Sequence, residues 1–211
     1  MRALIDGLAG KTHVLWDWNG TLLDDLAMSV AVVSEVCELH GLPRLELGVY
    51  LETFRFPIRD YYRELGFDFE RTPFPMLSRQ FIERYAARLG ETKLHDGAIE
   101  ALEALRERGI GCSVLSAAHE RDLEELLVRH GIRRYFTHVY GLGHHEANSK
   151  IERGRELLAA LRVPPAELVL VGDTDHDLEV AEALGIDALL VTGGHQSETR
   201  LRRLHDWVVS R

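Results

Sequence analysis

The second half of the chain alternates between helical patterns and short apolar runs. After Gly97, each predicted helix is followed by a run rich in Val, Leu or Ile. The helices are predicted at residues 98–108, 120–129, 151–161 and 176–184, and the strands at residues 110–115, 137–140, 168–171 and 186–191. Strands joined through helices run parallel, and parallel sheets are covered by helices on both faces. The alternation therefore predicts an α/β fold with three layers, in which helices flank a parallel sheet.

A different pattern separates the first predicted strand, residues 13–16, from this alternation. Residues 24–91 show helical patterns and no strand pattern. The helices are predicted at residues 25–40, 58–65 and 76–89, with breaks at Gly41-Leu42-Pro43 and Thr72-Pro73-Phe74-Pro75. We therefore expect residues 1–23 and 92–211 to form the α/β core, and residues 24–91 to form an inserted helical cap over the strand ends. The two connections between core and cap would act as hinges.

Two of the predicted strands end in an aspartate. Asp17 follows the apolar run at residues 13–16 and precedes a turn at Gly20, and Asp173 lies just after the run at residues 168–171. In open α/β sheets, active sites form at the carboxyl ends of the strands. Carboxylate oxygens are the ligands that hard divalent cations prefer. The pattern therefore predicts a metal site between Asp17 and Asp173.

Four motifs occur in order along the chain. They are Asp17-x-Asn19-x-Thr21, a strand ending in Ser116, Lys150 ahead of a helix, and Gly172-Asp173-x-x-x-Asp177. Together they resemble the motifs of the haloacid dehalogenase superfamily of phosphatases, in which the first motif is Asp-x-Asp-x-Thr. The resemblance covers residues 12–192, and its nearest branch is phosphoglycolate phosphatase-like, with a small helical cap. Each motif alone is weak, but the ordered set on matching elements is specific, and it implies a Rossmann-like core.

This resemblance implies a Mg²⁺-dependent phosphatase that hydrolyses a small phosphomonoester through an aspartyl-phosphate intermediate. Asp17 is then the nucleophile, and Asn19 occupies the position of the catalytic acid and base. The implied ligands of Mg²⁺ are the carboxylate of Asp17, the backbone carbonyl of Asn19 and the carboxylate of Asp173. The backbone ligand is unaffected by the replacement of Asp by Asn.

The resemblance also assigns residues to the phosphate and to the support of the site. Positive charge and amide groups are expected around the equatorial phosphate oxygens. Asp177 and Thr21 would support the site, Asp177 through a metal-bound water or through Lys150. The implied phosphate ligands are the side chains of Ser116 and Lys150 and the amides of Ala117 and Trp18.

Asn19 stands where related phosphatases have an aspartate that protonates the leaving alcohol and then activates water. A carboxamide cannot accept a proton at ordinary pH, and general acid–base catalysis is worth roughly 10²–10⁴-fold. Three interpretations remain open. The enzyme acts on esters with good leaving groups, such as acyl or aryl phosphates; another acid or base, for example from the cap, replaces the missing one; or the protein binds a phosphate ligand on a weakened catalytic site.

The cap segment argues against two branches of the superfamily, and we expect it to determine substrate specificity. Residues 24–92 contain no lysine, whereas phosphonate-cleaving relatives use a cap lysine, and dehalogenases work without the cation site predicted here.

Within the cap, Arg55 and Arg59 flank a turn and would contact a second anionic group on the substrate. The alternative, which we favour, is that both arginines lie on a solvated helix face near Asp60 and Glu64.

Composition excludes several other classes of protein. The chain has 211 residues and a formal net charge of −9, and no basic stretch interleaves with aromatics, so nucleic acid is not an expected partner. We find neither a signal peptide nor a run long enough to span a membrane. Cys37 and Cys112 lack a metal or redox spacing, which predicts buried packing residues in a reducing cytosol. We expect a cytoplasmic enzyme whose partner is a small phosphorylated metabolite; no protein partner is predicted.

Overall fold

The α/β fold predicted from the alternation is present as a six-stranded parallel sheet. The computed structural model describes residues 4–5, 7–143 and 149–210. The strands of the sheet are His13–Trp16 (β1), Gly111–His119 (β4), Val139–Leu142 (β5), Leu168–Gly172 (β6), Asp187–Val191 (β7) and Val208–Val209 (β8). Their order is β5-β4-β1-β6-β7-β8, and all neighbouring strands are parallel. Because β1 lies between β4 and β6, the Asp17 that follows it is central.

Four helices fill most of residues 25–92, the segment inserted between β1 and the rest of the sheet. They are Leu26–Leu39 (α1), Leu47–Thr53 (α2), Ile58–Glu64 (α3) and Phe74–Arg88 (α4). They share an apolar cluster of their own, in which Val36, Tyr61 and Leu77 are buried. At the two ends of this segment, Leu23–Asp24 (β2) and Lys93–Leu94 (β3) form an antiparallel pair. That these helices make a separate cap domain, bounded at residues 24 and 91, remains our proposal.

The remaining helices cover the two faces of the parallel sheet. They are Ala98–Glu107 (α5), Glu120–Arg129 (α6), Lys150–Leu161 (α7), Asp175–Leu184 (α8) and Glu198–Leu204 (α9). Successive side chains of a strand point to opposite faces. Accordingly, Val14 and Trp16 of β1 belong to one apolar cluster, with residues of α5 and α6, whereas Leu15 belongs to a second, with residues of α7 and α8. These two clusters complete the three-layer architecture.

Several element boundaries differ from the sequence-based prediction. The helices α2 and α9 and the strand β8 were not predicted; each is too short to show a clear period. The strand β4 continues to His119 instead of ending at residue 115. The break expected at Thr72-Pro73-Phe74-Pro75 ends at Pro73, because α4 begins at Phe74 and includes Pro75 in its first turn. Pro75 is tolerated there, since its missing N–H would have no partner within the helix.

Both cysteines have the buried positions expected of packing residues. Cys37 lies in the cluster of the inserted helices, and Cys112 lies in β4 against the core. Among the residues that the structure describes, no helix combines the length and the apolar character needed to cross a lipid bilayer.

His13 provides a pH-dependent term in the stability of the sheet. Its ring is buried in β1, with Nε2 2.9 Å from the Ser113 hydroxyl oxygen of β4. Burial, together with the nearby charge of His138, lowers the pKa of His13 from 6.5 to about 4. Between these two values the unfolded chain binds a proton at His13 that the folded chain does not, so this contribution to stability is lost as the pH falls. We expect the unfolding temperature of His13→Gln to depend less steeply on pH between 4 and 6.5 than that of the wild type; equal slopes would contradict this assignment.

Candidate active site

Three buried carboxylates meet at the carboxyl edge of the sheet. Asp17 directly follows β1, and its amide donates to the Val171 carbonyl of β6 at 2.9 Å. Asp173 directly follows β6, and Asp177 lies in the first turn of α8. One carboxylate oxygen from each of the three aspartates lies within 4.8 Å of the other two. The pairing of β1 with β6 thus brings together acids that are more than 150 residues apart in the sequence.

Lys150 binds two of these carboxylates directly. It is the first residue of α7, whose N-cap is Ser149, and only 4 % of its surface is exposed. Its Nζ lies 2.5 Å from Oδ1 of Asp17 and 2.6 Å from Oδ1 of Asp177. Thr174 donates to the other oxygen of Asp177 from its amide and from its hydroxyl. Asp177 therefore holds Lys150 beside Asp17, and that this contact supports catalysis stays a proposal.

Burial and the ion pair between Asp17 and Lys150 have opposing effects on the pKa values of these two groups. Burial raises the pKa of Asp17 to about 7, and Asp177 and Asp173 add to the effect, whereas Lys150 opposes it. Burial alone would lower the pKa of Lys150, but the carboxylates of Asp17 and Asp177 raise it above its usual value. Lys150 is therefore a permanent cation. Asp17 is a carboxylate whose ionised form needs further positive charge at neutral pH.

Asp173 is held by two donors and enclosed by backbone. The Thr21 hydroxyl donates to Oδ1 at 2.7 Å, and the His195 amide donates to Oδ2 at 2.7 Å. Gly20 has φ +69°, and a Cβ at this position would collide with the Asp173 carboxylate, as would one at Gly194. Both glycines are needed because the backbone passes so close to this side chain. Thr21, which was expected to support the site, contacts it through this hydrogen bond.

Ser116 lies at an irregular point within β4 and not at its end. The register with β5 shifts between Leu115 and His119. A bulge of this kind redirects side chains and is common next to active sites. The Ser116 hydroxyl oxygen accepts from the Ala118 amide at 3.0 Å, and Ser116, Ala117 and Trp18 line the same cavity as Asp17 and Lys150. The implied phosphate ligands are therefore close neighbours, although the strand continues past them.

Asn19 is held by a buried carboxylate that the sequence analysis did not identify. Its Nδ2 lies 2.9 Å from Oδ2 of Asp25 and 2.6 Å from the hydroxyl oxygen of Tyr85, which belongs to α4. The Tyr85 hydroxyl donates to the same Asp25 oxygen at 2.7 Å, and the Gly20 amide donates to Oδ1 at 2.8 Å. Because a carboxylate only accepts hydrogen bonds, the Asn19 amide must present its NH₂ group to Asp25.

Asp25 also forms a buried ion pair with His195. The Nε2 atom of His195 lies 3.2 Å from Oδ1 of Asp25, and its Nδ1 atom lies 2.9 Å from the hydroxyl of Tyr50 in α2. Burial alone would lower the pKa of His195, but the charge of Asp25, helped by Asp173 and Asp17, raises it to about 9. Burial alone would raise the pKa of Asp25, but His195, Tyr85 and Asn19 lower it well below its usual value.

Asp25 and Tyr85, the two side chains that contact the Asn19 amide, are poor replacements for the missing acid. Asp25 stays ionised because its pKa is lowered, and burial and the Asp25 carboxylate raise the pKa of Tyr85 well above its usual value. One sequence signal was available for His195. It follows β7 within four residues, so it lies at the same edge of the sheet as Asp17 and Asp173. The loop from Gly193 to Gln196, which had no predicted role, therefore contributes to the site.

The charges at this site fit a divalent cation. Four buried carboxylates meet here, and the buried cations that contact them in the described part of the chain are Lys150 and His195. An excess of two negative charges in a desolvated site is costly unless it is compensated. The excess, and the oxygen ligands that Asp17, Asp173 and the Asn19 backbone offer, suit Mg²⁺.

The two arginines considered for substrate recognition lie elsewhere. Arg55 is exposed and forms an ion pair with Glu64 at 2.8 Å. The Arg59 guanidinium lies over the ring of Phe69, 5.3 Å from its centroid. Neither arginine lines the cavity beside Asp17. The contact with a second anionic group, considered from the sequence, is therefore not supported. Both arginines are exposed, as the alternative expected, but only Arg59 lies on a helix (α3), because Arg55 lies in the connection between α2 and α3.

Comparison with known proteins identifies relatives over nearly the whole chain. Residues 14–191 match the family model described as haloacid dehalogenase-like hydrolase. A phosphoglycolate phosphatase from Synechococcus elongatus is 25 % identical over 205 residues, which cover 93 % of this chain and 91 % of that protein. A tyrosine-protein kinase, PtkA, from Mycobacterium tuberculosis is 28 % identical and covers 86 % of this chain, but only 62 % of the kinase is matched.

Solved structures share the same fold. A haloacid dehalogenase-like family hydrolase from Streptococcus pneumoniae superposes with a TM-score of 0.80 and 18 % identity, covering 96 % of this chain and 94 % of that one. A predicted phosphatase from Clostridium acetobutylicum gives a TM-score of 0.79 at 19 % identity, over 95 % and 94 % of the two chains. The structure of PtkA gives 0.76 at 27 % identity, over 89 % and 87 %.

Proposed function

Because the chain belongs to the haloacid dehalogenase-like hydrolases and is phosphoglycolate phosphatase-like, we propose that it is a phosphatase that cleaves a small phosphomonoester. The observation that carries this proposal is the arrangement around Asp17. A buried carboxylate at a central strand end contacts a buried lysine, and both line one cavity with Ser116. Such a site combines a nucleophile with the positive charge and donors that a phosphoryl group requires.

In the proposed reaction, a carboxylate oxygen of Asp17 attacks phosphorus. The bond from phosphorus to the ester oxygen breaks, and the leaving group departs with the electron pair as an oxyanion, which takes a proton from solvent. Water then attacks the aspartyl phosphate and gives up a proton to solvent, the bond between phosphorus and the Asp17 oxygen breaks, and inorganic phosphate and the free carboxylate are produced. Lys150 would stabilise charge on the phosphoryl oxygens, assisted by the Ser116 hydroxyl and the amides of Ala117 and Trp18.

Mg²⁺ fits this chemistry and the available donors. We propose that the carboxylates of Asp17 and Asp173 and the backbone carbonyl of Asn19 hold the ion, while Asp177 positions Lys150. When bound, the ion supplies the positive charge that allows two anions, the Asp17 carboxylate and the phosphate, to approach each other.

Asn19 limits the range of leaving groups. Its NH₂ group is engaged by Asp25 and Tyr85, and a carboxamide does not transfer protons at ordinary pH. We therefore favour substrates whose leaving group departs without protonation. The second candidate is a phosphate-binding protein with little turnover, and Asn19 is the observation that favours it. Binding of inorganic phosphate or vanadate without hydrolysis of any ester would support this candidate over the phosphatase.

Removal of the metal tests the proposed function. We expect phosphate release from an activated aryl phosphate to fall by at least about tenfold when a chelator is added, and to return with excess Mg²⁺. Asp173→Ala should require more Mg²⁺ for the same rate, since it lacks one ligand. Calorimetric titration with Mg²⁺ gives an independent measure of the affinity. Activity that persists in chelator would contradict the assignment of the ion.

The setting of this reaction is also a proposal. The buried thiols of Cys37 and Cys112 suit a reducing compartment, so we place the enzyme in the cytoplasm, acting on a small phosphorylated metabolite. The names of several relatives specify phosphatases, including one that acts on N-acetylmuramic acid 6-phosphate in Pseudomonas aeruginosa. These names support a phosphorylated substrate.

A further inference from the structure

A cavity of about 620 Å³ opens beside Asp17, and most of its wall is apolar. Lys150, Ser116 and Asn19 lie at its catalytic end. Much of the remaining wall is formed by the inserted segment and by α6. Aromatic and aliphatic residues of this wall include Phe54, Phe56, Ile58, Phe81, Ile82 and Leu126. A volume of this size suits a molecule larger than a two- or three-carbon phosphorylated acid.

The aromatic wall is well ordered by its own packing. The rings of Phe81 and Tyr85, one turn apart in α4, stack with centroids 5.4 Å apart. Phe54 stacks on Tyr50 at 4.9 Å, and Phe56 stacks on His176 at 4.5 Å. Tyr85 and Tyr50 are in turn held by Asp25 and His195 through hydrogen bonds. The wall is therefore fixed relative to the catalytic end, which favours recognition of a rigid apolar body.

The same wall offers little to a second anionic group. No arginine is among the described residues that line the cavity, and Lys150 is engaged by Asp17 and Asp177. His195 is engaged by Asp25. The other histidines of the wall, His119 and His176, lie 4.0 Å and 3.1 Å from the carboxylates of Asp122 and Glu179. Asp122, also in the wall, would repel a carboxylate. A leaving group that carries a carboxylate or a second phosphate would thus lose its hydration without gaining a cation.

We propose that the substrate is an aryl phosphate with a large apolar body, bound with its phosphate at Asp17 and its ring system against Phe54, Phe81 and Ile82. This inference rests on the proposed function and specifies its substrate class. Two independent observations agree with it. The cavity wall selects an apolar leaving group, and a phenolic leaving group departs without the proton that Asn19 cannot supply.

A matched pair of esters isolates the contribution of the wall. Phenyl phosphate and 2-naphthyl phosphate have leaving groups of similar acidity but different apolar area. With the full-length protein and Mg²⁺, we expect kcat/KM for the naphthyl ester to exceed that for the phenyl ester by about tenfold, because the second ring is buried against the wall. Phosphoglycolate, which is small and carries a carboxylate, should be hydrolysed more slowly than either ester.

Replacement of Ile99 is the matched control for replacement of Ile82, because both isoleucines are exposed. Ile82 is 59 % exposed and lines the cavity, whereas Ile99 is 42 % exposed on α5 and does not. We expect Ile82→Ala, and more strongly Phe81→Ala, to reduce the ratio of naphthyl to phenyl kcat/KM toward one. Ile99→Ala should leave the ratio unchanged. Because Ile82 is exposed, its replacement should not disturb folding, which an unchanged unfolding temperature would verify.

Binding of uncleavable analogues separates failure of this inference from failure of the proposed function. Phenylphosphonate and 2-naphthylphosphonate are titrated calorimetrically against the Mg²⁺-loaded protein. Tighter binding of the naphthyl analogue, lost in Phe81→Ala, supports the substrate class even if no ester is hydrolysed, in which case only the phosphatase assignment fails. Equal binding of the two analogues, or a preference for phosphoglycolate over both aryl esters, would overturn the inference while leaving phosphatase activity intact.

Discussion

Replacement of Asp17 by Asn is expected to lower phosphate release from an activated aryl phosphate by at least about 10³-fold. The carboxamide has nearly the same size as the carboxylate, and its oxygen can still accept a hydrogen bond from Lys150. It cannot attack phosphorus as an anion, so formation of the aspartyl phosphate is prevented. The loss should appear in kcat, because the binding groups Ser116 and Lys150 are unchanged.

The matched control for this variant is Asp24→Asn. Asp24 is exposed in β2, within the same sequence segment, and does not line the cavity. We expect Asp24→Asn to retain the wild-type rate, and Asp17→Asn to retain a wild-type unfolding temperature or exceed it, since it removes one of several buried negative charges. Release of phosphate by Asp17→Asn at more than a few per cent of the wild-type rate would refute the assignment of the nucleophile.

The second large effect is expected from changes at Asn19 and Asp25, which are joined by a hydrogen bond from the Asn19 amide to the Asp25 carboxylate. In Asn19→Asp, a carboxylate would replace the NH₂ group that now lies 2.9 Å from the Asp25 carboxylate. Two carboxylates at this distance, one of them buried, repel each other. We therefore expect the single variant to lower the unfolding temperature and to bring little gain on alkyl phosphates, although a catalytic acid is nominally restored.

The exchange variant, Asn19→Asp with Asp25→Asn, avoids this repulsion. One amide and one carboxylate still face each other, and the amide oxygen at position 25 can accept from Gly20 and His195, as the carboxylate does now. The carboxylate has moved to the position where related phosphatases carry their acid. We expect hydrolysis of an alkyl phosphate such as glycerol phosphate to rise by up to roughly 10²-fold, and that of aryl phosphates to rise less.

The coupling between positions 19 and 25 is tested by measuring the single variants and the exchange variant. For each variant, the rates on both ester types and the unfolding temperature are compared. Asp25→Asn alone is the control, because it removes the carboxylate without supplying an acid. If the exchange variant is no faster than the wild type on alkyl phosphates, position 19 does not limit the leaving group. If Asn19→Asp alone is both stable and faster, the contact with Asp25 is not repulsive.

The acids at the strand ends could be placed from local patterns. A parallel sheet has all its carboxyl ends at one edge, so recognising two strands was sufficient to bring Asp17 and Asp173 together. Lys150 and Asp177 were identified only through the resemblance to a family, and the structure places each in the first turn of a helix that follows a strand. Their assignment to catalysis came from the resemblance to a family and remains a proposal.

The partners of Asn19 could not be placed in this way. Asp25 precedes α1, Tyr85 lies in α4 and His195 lies beyond β7, and no sequence period relates these three residues. They meet only because the inserted helices pack over the edge of the sheet. Burial in that contact then sets their charges, since Asp25 and His195 shift each other's pKa.

The amino-acid sequence by itself determined the α/β architecture and the edge of the sheet at which the acids collect, because both depend on the period and order of neighbouring residues. Only the tertiary structure decided what surrounds those acids. It paired Arg55 with Glu64 and placed Arg59 over Phe69, and it placed Phe54 and Phe81 in the wall of the cavity beside Asp17. The packing of distant segments decides which side chains of a segment face a cavity. That packing is a sum of many weak contacts with no local signature.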